Sequence, residues 1–165
     1  TGADEMRLTI GTSHIHSTAS NMRFTGRLLE GQFPAWEQVL PHPADALTWL
    51  TADREQLLEA VERVSLMCKD DMAAIRFSQT DNTLNLKAAY VEVGEAREEI
   101  EVSCIKGGDV QVALRPIFLR DALYAMDADE VNIYYQSNRH PVLLQDPEDP
   151  GYSCVVMPIT TPSTS

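Results

Sequence analysis

The chain is short of positive charge, and that shortage is the first thing to bound what it can do. Only 13 Lys and Arg stand against 25 Asp and Glu, a formal net charge of −12. A whole-surface attraction to nucleic acid is excluded on that balance, and any such contact needs Lys and Arg gathered locally. Cysteine is scarce too. Cys68, Cys104 and Cys154 lie far apart and form no CxxC, which predicts reduced, buried thiols in a cytoplasmic protein. No apolar run approaches membrane-spanning length and no signal peptide heads the chain, so no membrane partner is expected. The first residue is Thr rather than Met, which fits an excised or processed piece.

What is present is globular. A hydrophobic share of 44% over 165 residues suits one ordinary domain plus part of another. The division falls at Gly31-Gln32-Phe33-Pro34-Ala35-Trp36-Glu37-Gln38-Val39-Leu40-Pro41. Pro34 suits a first helical position and Pro41 stops the turn. Phe33, Trp36, Val39 and Leu40 share one side of a single helical turn, which predicts a packed connector with a groove beside Pro34 and Val39.

Before this hinge, Arg7–Gly11, His14–Ala19 and Met22–Leu29 read as three strands joined by tight turns. His14 and His16 share a strand face but lack a third ligand, so no metal site is predicted. Three strands without a helix cannot bury both faces, which predicts the end of a larger unit. After the hinge, Ala46–Leu50 reads as a strand, and Asp53 with Gln56 caps a helix. Leu57, Val61, Val64 and Cys68 form its core stripe, with Glu55, Glu59, Glu62 and Leu66 on the other side. Alternation at Ala73–Phe77, Leu84–Ala88 and Ile100–Cys104 predicts three strands. The same order then recurs: a strand at Val110–Leu114, a helix opening at Pro116 with core residues Leu119, Ala122, Leu123 and Met126, and strands at Val131–Tyr135, Pro141–Leu144 and Ser153–Ile159. The predicted fold class is α+β, a duplicated β-α-β-β-β unit with two helices on one face of antiparallel sheets.

The hinge motif FPxWxxVLP, preceded by Arg27-Leu28-Leu29-Glu30-Gly31, resembles the linker into the last domain of the bacterial DNA polymerase III β subunit, the sliding clamp. Cys154-Val155-Val156-Met157-Pro158-Ile159 resembles that family's C-terminal strand, and Arg115–Leu123 with Asp129-Glu130-Val131 resembles its second helix and following strand. The resemblance spans Arg7 to Ile159. It implies a DNA-clamp fold, with residues 1–40 ending a middle domain and 44–160 forming the third domain; the polar composition of 161–165, with Pro162, predicts a disordered tail. It further implies a non-catalytic processivity subunit, without metal or cofactor, that encircles duplex DNA as a homodimer. Such a ring tethers the polymerase catalytic subunit, clamp loader and repair proteins through short linear peptides.

By motif match, the resemblance assigns Pro34, Gln38 and Val39 of the linker to a peptide cleft. It adds Met72, Arg115, Phe118, Arg139 and Pro141, with Val155, Val156, Met157, Pro158 and Ile159 as the C-terminal wall. Met72 and Arg115 depart from the aromatic and Asn usual in the family. Leu66 and Met67 match an apolar contact between protomers, and Arg63 and Arg120 are the DNA-facing candidates. Two readings compete with the clamp. A hydrolytic metal site would have to use the acidic runs at 98–101, 127–130 or 146–149, which sit at turns without a positioned nucleophile. A stand-alone interaction domain sharing the clamp fold is the other.

Overall fold

The computed structural model describes residues 5–33, 35–68, 73–90, 94–107 and 110–159. The chain divides into two units, Thr1–Trp36 and Glu37–Ser165. In the first, β1 (Arg7–Ile10), β2 (His14–Ala19) and β3 (Met22–Arg27) form an antiparallel meander in the order β1-β2-β3. Both faces of this small sheet are largely exposed, as expected of strands with no helix of their own.

The second unit carries the core. In chain order it runs β4 (Thr48–Asp53), α1 (Arg54–Ser65), β5 (Ile75–Thr80), β6 (Thr83–Tyr90), β7 (Gly94–Lys106), β8 (Gln111–Leu114), α2 (Pro116–Tyr124), β9 (Glu130–Tyr135), β10 (Val142–Gln145) and β11 (Ser153–Val156). The β-α-β-β-β order therefore occurs twice, as the sequence predicts. The eight strands lie in the order β11-β10-β9-β4-β7-β6-β5-β8, with every pairing antiparallel.

The duplication explains this order. The first strand of each repeat pairs with the strand that follows the other repeat's helix, β4 with β9 and β8 with β5. Each first strand also meets the last strand of its own repeat. For β4 that neighbour is β7. For β8 it is the extension of β11, through Ile159 N–H donating to Ala113 O at 2.8 Å. The terminal strand is thus shorter than the predicted Ser153–Ile159. After Val156 the chain leaves β10 and crosses to the edge of β8.

Asp53 caps α1, its carboxylate accepting from Gln56 N–H at 2.8 Å. Leu57, Leu58, Ala60, Val61 and Val64 are buried, and α1 packs on α2 and against β4, β5, β6, β7 and β9. Pro116 occupies the first turn of α2, whose Leu119, Ala122 and Leu123 are buried. The helices share a core with Leu50, Ile75, Leu86, Val131, Leu144 and Val156, all at 2% exposure or less. Burying each such side chain stabilises the fold by about 1.5–3 kcal/mol.

The hinge differs from its prediction. It forms a single 3-10 turn, Trp36–Gln38, and Phe33, Trp36 and Val39 stay 81%, 52% and 64% exposed. One turn is too short to bury four large side chains, and only Leu40 is packed. The predicted Gly107-Gly108 turn, Pro34, Met72 and the predicted disordered tail fall wholly or partly outside the described residues.

Candidate functional site

Strand alternation gives the second unit a second, smaller apolar face. On β4, Thr48, Leu50 and Ala52 are buried while Trp49 and Thr51 point to the opposite face. Register carries that face across the sheet: Trp49 lies opposite Tyr134, Tyr134 opposite Leu143, and Leu143 opposite Val155. The row is packed, with Trp49 and Tyr134 rings 5.2 Å apart and Leu143 wholly buried. Leu40 and Ala46 close over it, forming a cluster separate from the main core. Leu47 N–H donates to Tyr135 O at 3.0 Å, and the Lys106 ammonium donates to Ala46 O, so the incoming chain is fastened along this face.

The next row is polar and marks the limit of the apolar strip. Thr51 Oγ1 and Trp49 Nε1 donate to Asn132 Oδ1 at 2.8 and 3.3 Å, and Gln145 Nε2 donates to Ser153 Oγ at 3.1 Å. Val39 sits immediately before Leu40 and Met157 two residues after Val155, at 64% and 59% exposure. The arrangement is a packed apolar strip between the end of the hinge and the terminal strand, with Val39 and Met157, both exposed, next to its members Leu40 and Val155 in the sequence.

Several assigned residues belong to this strip and others lie elsewhere. Gln38 is exposed at the end of the 3-10 turn, and Val155 is half-buried in the cluster with Leu40. Val156 faces the other way, at 1% exposure in the main core, so its side chain adds to stability rather than to this strip. Pro158 and Ile159 are half-buried as the chain crosses to β8. Arg115 is the N-cap residue of α2 and makes no side-chain cap bond, while Phe118 on the same helix is half exposed. Arg139 is exposed in a turn where its N–H donates to Ser137 Oγ at 3.2 Å, and half-buried Pro141 precedes β10. Pro34 and Met72 lie outside the described residues. Trp49, Tyr134 and Leu143 were not singled out from sequence, although alternation around Leu50 already sets Trp49 on the opposite face.

The helical side is electrostatically quiet. Arg63 Nε donates to Glu98 at 2.9 Å and Nη1 to Glu59 at 3.1 Å. The hydrogen bond to Glu98, then that to Glu59, raises its pKa further. Two carboxylates therefore answer the one positive charge that α1 offers beyond Arg54. Arg120 on α2 is exposed and borders a cavity of about 200 Å³ with Val61, Ser65, Cys68, Pro116 and Ile117. Glu62 accepts from the Tyr124 hydroxyl at 2.6 Å, raising the phenol's pKa. At the end of α1, Leu66 is 73% exposed whereas Met67 packs against the core.

Two of the three acidic runs each have a member engaged in structure. Glu98 pairs with Arg63, and Asp146 accepts from backbone N–H groups of Ala128, Glu148 and Asp149. Among the described residues, no three His, Cys, Asp or Glu side chains come together as a metal site would need. Burial pushes the Cys154 thiol up, so it stays protonated at neutral pH. No described helix is long and apolar enough to cross a membrane.

Comparison with known proteins agrees with this architecture. Residues 37–160 match the family described as DNA polymerase III beta subunit, C-terminal domain. The chain is 29% identical over 155 residues to the beta sliding clamp of Pseudomonas aeruginosa, covering 94% of this chain and 41% of that protein. It is 31% identical to the Pseudomonas putida clamp, with 92% and 41% coverage. The crystal structure of the Pseudomonas aeruginosa DNA polymerase III beta subunit superposes with a TM-score of 0.84 at 27% identity, covering 93% of this chain and 41% of that one. A griselimycin-bound clamp from the same organism gives 0.83 at the same identity and coverage. This chain belongs to the DNA polymerase III beta subunit family, the sliding clamps of DNA replication, and has the clamp fold of its C-terminal domain. It spans about two fifths of the length of these relatives.

Proposed function

We propose that this chain is the partner-docking end of a DNA sliding clamp, a non-catalytic cytoplasmic processivity subunit. In the full-length protein it would encircle duplex DNA as a homodimer and hold the polymerase catalytic subunit, clamp loader and repair proteins through short linear peptides. The observation that carries the reading is the strip formed by Leu40 seated on Trp49, Tyr134, Leu143 and Val155, with Val39 and Met157 exposed beside it. Exposed apolar side chains beside a packed apolar row can accept Leu or Phe anchors from an extended peptide. Two anchors at about 1.5–3 kcal/mol each, less the cost of ordering the peptide, give an exchangeable, micromolar tether.

The test is anisotropy of a labelled peptide with two adjacent apolar anchors, read beside thermal melting on the same protein. Met157→Ala is expected to weaken binding about five- to thirtyfold, equivalent to about 1–2 kcal/mol. Its melting temperature should stay close to that of the parent, because Met157 is 59% exposed. Affinity should change little with salt, since no phosphate or ion pair dominates the contact. A large loss of stability with unchanged affinity would place Met157 in the fold rather than in the site.

A further inference from the structure

The three-stranded unit has two faces of opposite character. Leu8, Ile10 and Phe24 lie on one face, and the other is built of rows of donors. Arg7, Thr18 and Arg23 stand opposite one another across the three strands. Thr9, His16 and Thr25 form the next row, and His14 opposite Arg27 the third. All eight are exposed. The His14 and His16 rings are 6.3 Å apart and stacked, and His16 Nδ1 is 2.9 Å from Thr25 Oγ1. These rows contain no acid. Glu30 reaches in from beyond β3 to pair with Arg27 at 2.5 Å, both side chains being largely exposed. Among the described residues, no ion pair involves Arg7 or Arg23.

This concentration is unusual for the chain as a whole. Residues 1–36 hold three arginines against Asp4, Glu5 and Glu30, so their formal charge is zero and the full −12 belongs to residues 37–165. A second cross-strand row of cations, Arg76, Lys87 and Arg97, lies in the other unit, but there Glu95 pairs with both Lys87 and Arg97, whereas the rows of this sheet face hold no acid of their own.

We propose that this face binds the phosphate backbone of single-stranded nucleic acid without reading its sequence. Arg forks, hydroxyls and imidazoles on neighbouring strands about 4.8 Å apart offer a flat grid of donors suited to phosphate oxygens. The face has no helix to enter a duplex groove, and no Phe, Tyr or Trp ring on which bases could stack. An acidic polypeptide is the poorer fit, because the face has no apolar side chain to anchor one. The inference is independent of the apolar strip on the other unit.

Anisotropy of a labelled oligothymidylate of about 20 nucleotides, titrated with the chain at stepped salt, tests it. Three phosphate-contacting arginines predict a slope of log affinity against log salt near about −2. Arg7→Gln and Arg23→Gln should each reduce that slope by about 0.7 and weaken binding by about fivefold, with unchanged melting temperatures. Glu30→Gln, which frees Arg27, should strengthen binding, and Arg97→Gln in the other unit should leave it unchanged. Absence of binding at low salt, or variants indistinguishable from the parent, would overturn the proposal. So would equal binding by polyglutamate, or sedimentation showing that the face instead recruits a second copy of this chain.

Discussion

Asp146 is a buried carboxylate, 5% exposed, with no ion pair to it among the described residues. Burial pushes its pKa up, but the backbone N–H groups of Glu148, Asp149, Ala128 and Asp127 together outweigh that and hold it below its usual value of 3.8. A carboxylate whose folded pKa is depressed contributes stability that is fully present above the unfolded value and is lost as pH falls through the folded one. The contribution should therefore be intact at neutral pH and fade below about pH 3.8. Asp146→Asn leaves the amide able to accept through one oxygen only, so it should melt lower at pH 7. Its melting temperature should also fall less steeply than the parent's between about pH 5 and pH 2.5. Parallel acid limbs for the two proteins would show that Asp146 contributes nothing through its charge.

At the scale of the element, α1 offers a comparison within one helix. Leu57 is 2% exposed and Leu66, at the C-cap, 73%. Leu57→Ala should cost about 2–5 kcal/mol in urea unfolding, through lost burial and the cavity left behind. Leu66→Ala should stay within about 0.5 kcal/mol, and Asp53→Ala, which removes the cap, should cost about 1 kcal/mol. These assignments were legible beforehand because a helix writes its period and its cap into contiguous residues. The doubled β-α-β-β-β order was legible for the same reason. The strip of Trp49, Tyr134, Leu143 and Val155 was not, because it exists only once three strand registers are set, joining residues up to about a hundred positions apart. The departure of Met157, Pro158 and Ile159 toward β8 was hidden likewise, since it depends on an edge left open by the other repeat. Motif resemblance supplied Val155 and Met157 as candidates, but only the alternation of the actual strand separates Val156, turned into the core, from its neighbours. The pairing of Arg63 with Glu98, 35 residues on, was hidden in the same nonlocal way.

At the scale of the whole molecule, Leu66 poses the clearest question. It ends α1 with its side chain in solvent while the adjacent Met67 turns inward, so nothing among the described residues requires a leucine there. In the proposed full-length ring, head-to-tail closure of a homodimer makes two identical contacts, so one residue counts twice. Burying a leucine at each contact is worth about 1.5–3 kcal/mol, or about 3–6 kcal/mol for the closed ring. Leu66→Glu removes that gain and places a charge where it would have to be desolvated. In the full-length protein, sedimentation velocity over a dilution series should show the dimer dissociating at concentrations at least about a hundredfold higher than for the parent. The isolated 165-residue chain carrying the same change should melt within a few degrees of its parent, because the side chain touches little of its own domain. A full-length variant that dimerises as tightly as the parent would remove Leu66 from the ring contact, whereas a lowered melting temperature in the short chain would trace any dissociation to the domain's own stability.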